Sequence, residues 1–371
     1  MKVIVLGGAG DMGGRAVEDL ADSEDVSLVT IADRDMAAAY ALTDKLSGKD
    51  ARVDCTRIDA NNHDDLVQAM KGYDVAASAL GPFHRYEDKL VHAAIDAGVD
   101  YASICDEWEA AEAVMNEFDY IAREKGRVIL TGLGTSPGLS NVGVRYLSGK
   151  MEKLNKVEIY VFQPIAGGGG EAVLRHMFHI MSGDVAVWRN GKRTLVKALS
   201  EERYVEFPKF GRLKLWNMGH SEPATVPRFF DGVEEVNFYM GFGKGSSFIV
   251  EPAKRGLFNF KYLREALVRI AGAVEKVAVT EPEHGAVRID AWGEIDGRQE
   301  HHTVCGIGQM RQATGLSLSV GAQMLAKKQL ITEEPGVYAP EACLDPLTFL
   351  RQLNNKGIDA YEDLEMTRRI E

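Results

Sequence analysis

The sequence predicts an α/β protein: a Rossmann-type doubly wound parallel sheet, then an α+β second domain with an antiparallel sheet. Three observations carry this expectation. From Met1 to about Leu147 short apolar strands alternate with amphipathic helices. The first strand runs straight into "LGGAGDMGG", residues 6–14, with five glycines in nine positions. Beyond Gly149 the apolar period becomes two, and Asn190-Gly191 and Asp296-Gly297 mark two-residue hairpins.

The parallel strands are expected at Lys2 to Leu6, Ser27 to Ala32, Arg52 to Ile58, Asp74 to Leu80, Asp100 to Ile104 and Arg127 to Thr131. The helices between them have readable ends. Asn62 is an N-cap and Gly72 a stop for the helix carrying Leu66, Val67 and Met70. Gly98 ends the helix with Leu90, Ala93, Ala94 and Ala97, and Gly126 ends the one with Val114, Phe118, Ile121 and Ala122. In the second domain Val157, Ile159 and Val161 alternate with Glu158, Tyr160 and Phe162, and Val287, Ile289, Ala291, Gly293 and Ile295 keep the same period. These are antiparallel strands with one covered face. Helices are expected near Glu171 to Met181, Tyr262 to Ala273 and, rich in small residues, Thr314 to Lys327. The domain boundaries follow as 1–147, 148–310 and a segment 311–371 that returns to the first domain.

Length and composition bound the function. A chain of 371 residues holds about two domains. A net charge of −12 argues against nucleic acid as a partner, since phosphate affinity needs clustered Lys and Arg. No run of 18 apolar residues and no signal pattern occurs, so a cytoplasmic chain without a membrane span is expected. The four cysteines, Cys55, Cys105, Cys305 and Cys343, form no CxxC, which predicts no structural metal.

The glycine cluster needs a turn or a ligand to explain it, because glycine weakens regular structure by about 0.5–1 kcal/mol relative to alanine. Gly8-Ala9-Gly10-Asp11-Met12-Gly13 fits GxGxxG between a strand and a helix. Gly8 serves the tight turn, Gly10 the approach of a pyrophosphate and Gly13 the helix-strand contact, while the helix N-terminus attracts the anion. Asp33 ends the second strand twenty positions after Gly13, where a carboxylate binds both ribose hydroxyls of a dinucleotide. Arg34 follows and suits the adenine or a 2′-phosphate, so NAD and NADP both stay open, with NAD slightly favoured by Asp33. Asp59-Ala60 falls where adenine lies, and Leu80-Gly81-Pro82 where the nicotinamide ribose lies, or forms an ordinary turn.

Proton handling has two candidates in the first domain, His84 after the fourth strand and Asp106, with Glu107 beside it, after the fifth. In the second domain "GHSEPATVPR", Gly219 to Arg228, is a polar loop stiffened by two prolines. His220 is its catalytic candidate, while Arg228 and Glu222 are substrate-binding candidates, arginine being suited to a carboxylate. Arg175, after the Gly167 to Gly170 run, is the reserve anchor. His301 and His302 point to opposite faces of a strand and cannot chelate together. The second sheet has an edge suited to pairing across a two-fold axis, so a homodimer is expected.

The stretches "VIVLGGAGDMGG", "VTIADRD", "DVAASALGPF", "HAAIDAGVDYASI" and "GLGTSPGLSN" resemble the saccharopine dehydrogenase and saccharopine reductase family, which includes lysine 6-dehydrogenase-like enzymes and carboxynorspermidine synthases. "ATGLSLSVGAQMLAKKQL" and "GVYAPEACLDPLTFLRQLNNKGI" resemble its carboxy-terminal segment. The resemblance spans about the first 147 and last 60 residues; the middle, which sets substrate choice, matches loosely. It implies NAD(P)-dependent chemistry at the C–N bond of an amino-acid skeleton such as lysine or saccharopine. Gly8, Gly10, Gly13 and Asp33 then bind the dinucleotide, Leu80, Gly81 and Pro82 flank its nicotinamide half, and Pro137, Gly138 and Asn141 shape the turn between domains. The alternatives are reductive condensation of an aldehyde with a diamine, and a non-catalytic dinucleotide sensor.

Overall fold

Val3, Ile4, Val5 and Leu6 are all fully buried, as a strand covered on both faces requires. They form β1 (Lys2–Leu6), the centre of a parallel sheet in a computed structural model that describes residues 1–164, 170–243, 246–259 and 284–371. The other strands of this sheet are β2 (Leu28–Asp33), β3 (Arg52–Arg57), β4 (Val75–Ser78), β5 (Asp100–Ser103) and β6 (Val128–Thr131). All pair in parallel in the order β6-β5-β4-β1-β2-β3, the doubly wound Rossmann order. A late strand, Gly336–Tyr338, adds in parallel outside β6.

The helices α1 (Asp11–Ala21), α2 (Met36–Lys45), α3 (His63–Met70), α4 (Phe83–Ala97) and α5 (Trp108–Lys125) follow their strands in turn. Their ends obey the local chemistry. Asn62 accepts the Asp65 N–H at 3.3 Å, and Gly98 and Gly126 take left-handed φ values of +71° and +64° that a side chain would resist.

By its contacts the chain divides into two compact units, Met1–Leu139 with Arg311–Lys356, and Ser140–Met310 with Gly357–Glu371. The carboxy-terminal segment is therefore shared between the units rather than returning whole to the first. In the first unit the small-residue helix Met310–Ala326 lies tightly on α1: a Cβ on Gly315 would stand 2.4 Å from Arg15 Cβ and 2.9 Å from the Met12 carbonyl oxygen. In the second, Cys305 and Tyr361 exchange backbone hydrogen bonds of 2.8 Å, and Glu362 accepts from Lys150 and Tyr146.

The second unit opens with α6 (Leu139–Ser148) and β7 (Lys153–Phe162), then α7 (Gly170–Ile180). β8 (Asp184–Arg189) and β9 (Lys192–Lys197) form a hairpin through Asn190-Gly191, both at positive φ. After β10 (Glu202–Phe207) and β11 (Gly211–Asn217) come α8 (Glu222–Phe229), β12 (Glu235–Gly241), β13 (Gly285–Ile295) and β14 (Arg298–Gly308), the last two joined at Asp296-Gly297. The sheet order is β10-β11-β12-β7-β13-β14, with β8 on the side of β12.

Two expectations change here. The sheet is mixed, because β12 pairs with β7 in parallel, while the other pairs are antiparallel. β7 also buries both faces. One carries Val157, Ile159 and Val161; the other carries Tyr160 and Phe162, which pack with Val205, Phe207, Leu215, Tyr239 and Ala286. The β10–β11 hairpin curls over that second face, since the Arg288 guanidinium on β13 donates to the Glu206 carbonyl on β10 at 2.9 Å. Charged groups beneath the curl are paired, with Asp290 receiving hydrogen bonds from Arg288 and from Thr303 at 2.6 Å. On α6, Gly143 leaves room for Ile289, whose Cδ1 would stand 3.0 Å from an added Cβ.

The expected helix over 262–273 and Gly167 to Gly169 lie outside the described residues.

Candidate functional site

The glycine turn is shaped by backbone crowding. Gly7, rather than Gly8, takes the left-handed conformation (φ +73°), and an added Cβ there would lie 3.1 Å from the Ala79 backbone and from Leu80 Cα. A Cβ on Gly8 would meet the Val5 carbonyl oxygen at 2.8 Å, and one on Gly13 the Gly7 carbonyl oxygen at 2.3 Å. Gly10 differs. It is the N-cap of α1 with φ −78°, and its nearest obstacle is the Gly7 carbonyl oxygen at 3.3 Å. The turn thus needs Gly7, Gly8 and Gly13 for its own closure, whereas Gly10 leaves space beside a helix N-terminus that no side chain caps. That space suits a diphosphate, so these residues fit the dinucleotide expected from the sequence.

Asp33 ties the end of β2 to this turn: its carboxylate accepts the Ala9 N–H at 3.1 Å and the Asp35 N–H at 3.0 Å. Arg34 is exposed, and so is Arg57, which stands opposite Asp33 in the β2–β3 register. Asp59 is exposed at the end of β3; hydrogen bonds from Asn61 hold its carboxyl below the usual range. Ala60 follows it in the same loop. Asp11 and Met12 form the first turn of α1, and Arg311, which sequence reasoning missed, brings its guanidinium to 3.3 Å from the Asp11 carboxylate.

Leu80, Gly81 and Pro82 lead from β4 to α4, with a cis Gly81-Pro82 peptide and the Leu80 N–H donated to Ser78 Oγ. Pro82, the N-cap of α4, has no side-chain oxygen to offer. Glu107 supplies one instead: its side chain is 0% exposed, and one oxygen accepts the His84 N–H at 2.6 Å and lies 2.5 Å from His84 Nδ1. Glu107 is also the N-cap of α5, so Asp106 is not that helix's cap; Asp106 lies half-buried just before it. The His84 ring is thereby held by one nitrogen while the side chain stays 42% exposed.

Behind this pair stands Glu87, 0% exposed on the apolar stripe of α4. Tyr101 (2.9 Å), Ser103 and Thr131 (3.5 Å) donate hydroxyl hydrogen bonds to it. Burial pushes its carboxyl up to about 7 despite these hydroxyls. Its signal in the sequence was a glutamate between Phe83 and Leu90 on one helix face.

In the second unit "GHSEPATVPR" is a helix rather than a loop from Glu222 on, α8, with Pro223 in its first turn where the missing N–H costs nothing. His220 is 4% exposed, lies flat on Phe238 at 4.0 Å and 9°, and brings Nδ1 to 2.5 Å from Glu222. The other Glu222 oxygen accepts from Ser140 Oγ at 2.8 Å. Glu222, expected to reach a substrate, has both oxygens taken and is fully buried, so it holds His220 instead. Arg228 lies in the last turn of α8, its Nε donating to the Ala224 carbonyl at 3.2 Å, and Arg175 is half-buried on α7. Asn141 is buried in α6 and donates to Thr225 at 3.3 Å.

His301 stacks on Trp292 at 4.5 Å. Among the described residues no helix is long and apolar enough to cross a membrane.

Known proteins agree with this architecture. Residues 3–130 match the model of the saccharopine dehydrogenase NADP-binding domain. The chain is 22% identical over 272 residues to carboxynorspermidine synthase of Vibrio cholerae, covering 66% of this chain and 63% of that protein. It is 25% identical over 175 residues to a lipid droplet localized protein of Caenorhabditis elegans, covering 45% and 41%. The matches thus span less than two thirds of either relative. Among solved structures, apo saccharopine dehydrogenase (L-Glu forming) of Saccharomyces cerevisiae superposes with a TM-score of 0.71 at 14% identity, over 98% of this chain and 99% of that one. Amine dehydrogenase of Mycobacterium smegmatis superposes with a TM-score of 0.50 at 12% identity, over 93% and 96%. At such identities these two superpositions establish the fold. Residues 3–130 of the first unit are thus similar to the saccharopine dehydrogenase NADP-binding domain.

Proposed function

We propose that this protein is an NAD(P)-dependent oxidoreductase acting on the C–N bond of an amino acid, of the saccharopine or lysine 6-dehydrogenase kind. The observation that carries this is the open space beside Gly10 at the uncapped start of α1. When bound there, the oxidised dinucleotide supplies an acceptor for hydride from the amine-bearing carbon. Gly8, Gly10, Asp11, Met12 and Gly13 hold its diphosphate, Asp33, Arg34, Asp59 and Ala60 its adenosine half, and Leu80, Gly81 and Pro82 its nicotinamide half. His84 and Asp106, at the ends of β4 and β5, serve proton transfer near the ring, while Arg228 and Arg175 anchor a substrate carboxylate. The domain match of the first unit and the amine and amino-acid chemistry in the names of the relatives support this assignment.

The test is a turnover screen of L-amino acids, saccharopine and polyamines with NAD and NADP, alongside calorimetric titration of both nucleotides. Uptake of neither nucleotide by folded protein overturns the proposal. The match to carboxynorspermidine synthase over 272 residues favours a second reading, reductive condensation of an aldehyde with a diamine. NADPH consumption with aspartate semialdehyde plus a diamine, and none with saccharopine or lysine, selects it. A homodimer completes the proposal; light scattering coupled to size exclusion that returns a monomer removes that part alone.

A further inference from the structure

We infer that the segment Gly219–Glu222 of the second unit recognises the amine of the substrate, with His220 Nε2 accepting its proton and Ser221 Oγ accepting a second N–H. This rests on the amine chemistry of the proposed function and adds the group that carries it. The His220 ring is fixed on three sides. Glu222 takes Nδ1, Phe238 covers one face, and His176 stands edge-on at 6.4 Å. Nε2 makes no hydrogen bond to any described residue, and it is the ring nitrogen left to act as acceptor. Glu222 is itself held by Ser140, buried like it at 0% exposure, so the carboxylate cannot swing away from the ring. A carboxylate held on Nδ1 fixes the tautomer and stabilises an imidazolium where it forms.

Ser221 is the independent observation. It occupies the N-cap position of α8, where a serine hydroxyl ordinarily accepts a first-turn N–H, but its backbone is helical (φ −81°, ψ −23°) and its side chain makes no capping bond. The residue is 1% exposed, and Oγ has no partner among the described residues. A buried hydroxyl left unpaired is costly and calls for a ligand group. Two acceptors beside a buried carboxylate select a cationic donor over a carboxylate. In the step, an N–H bond of the substrate ammonium breaks, its electron pair stays on nitrogen, and the proton bonds to Nε2, giving an imidazolium paired with Glu222.

The experiment uses the 371-residue chain with L-lysine, saccharopine and, as a control that keeps the α-ammonium but carries a hydroxyl in place of lysine's ε-ammonium, 6-hydroxynorleucine, each titrated with and without dinucleotide. Binding of lysine or saccharopine but not of the analogue that lacks the side-chain nitrogen is expected, with a change in the ¹⁵N resonances of the His220 ring. Ser221→Ala, which removes only an unpartnered hydroxyl and so folds, is expected to weaken amine binding about tenfold with kcat little changed. His220→Gln is expected to lower kcat about 100-fold or more while dinucleotide affinity holds. Equal amine affinity in Ser221→Ala, wild-type turnover in His220→Gln, or no binding of either amine overturns the inference. Absence of dinucleotide uptake overturns the parent proposal instead, and the amine titrations without dinucleotide still judge the site.

Discussion

Gly10 and Gly13 sit three residues apart in one motif, but alanine at each is expected to do different damage. At Gly13 the new Cβ would lie 2.3 Å from the Gly7 carbonyl oxygen and 2.9 Å from Gly8 Cα, all backbone of the same turn. Nothing there can rotate away, so the turn must open. Overpacking of this kind costs about 1–3 kcal/mol, or roughly 3–10 °C in Tm for a domain of this size. At Gly10 the backbone is already extended (φ −78°, ψ 171°) and the Cβ would have only one neighbour, at 3.3 Å. Alanine at an N-cap in place of glycine costs at most about 1 kcal/mol. The same methyl would occupy the space beside the α1 N-terminus assigned to the diphosphate. Dinucleotide affinity is therefore expected to fall at least tenfold, about 1.4 kcal/mol. Thermal unfolding and calorimetric titration with NAD and NADP on both variants separate the two effects. Wild-type affinity in a well-folded Gly10→Ala protein would refute the placement of the diphosphate; a Tm loss in Gly10→Ala matching that of Gly13→Ala would refute the assignment of crowding to Gly13.

Glu87→Gln keeps the hydroxyl partners but removes the ionisation. Because the folded carboxyl lies near 7 and the unfolded one near 4.5, wild-type stability is fully present below 4.5 and lost as pH rises through 7. Denaturant midpoints at pH 8 should favour the variant by about 3 kcal/mol, a difference that vanishes near pH 4; equal midpoints at pH 8 would show the charge to be compensated. Arg311→Met removes a half-exposed ion pair with Asp11 worth at most about 1 kcal/mol, so its Tm should hold while dinucleotide affinity falls several-fold; unchanged affinity assigns Arg311 to packing alone. Replacing exposed Arg34 and Arg57 together by Ser should weaken NADP more than NAD, read as the ratio of their Kd values, and an unchanged ratio would leave Asp33 alone as the selector.

The parallel half of the fold was legible because its signals are local. Most of its strands are short apolar runs, α4 and α5 stop at glycines of positive φ, and the turn motif fixes what precedes and follows it. The second sheet was legible only in part. Period two in β7 correctly gave a strand, but its flanking strands and the hairpin that covers its polar-looking face lie roughly fifty to 140 positions away. Glu158 and Tyr160 look solvent-facing until the β10–β11 hairpin is known to fold over them. Likewise Pro223 and Pro227 suggested a stiff loop, because proline marks a break unless it falls in a first turn, and nothing local says that Glu222 begins one.

The same distinction governs the candidate sites. Backbone crowding around a phosphate turn leaves glycines, which any sequence displays. A side chain held for chemistry leaves only an ordinary residue type, and its holder is remote: Glu107 reaches His84 from 23 positions away, and Ser140 reaches Glu222 from 82. Asp106 and Glu107 are adjacent acids with identical local signals, and only the missing cap on α4 after Pro82 decides which of them turns toward His84. The glutamates of the His84 and His220 pairs are both fully buried, each facing a histidine as its specific partner, although His84 itself stays 42% exposed. On the proposed assignment the phosphate turn and the His220 segment are built from separate residues, so that replacing Ser221, whose side chain makes no capping bond, disturbs no turn and no cap.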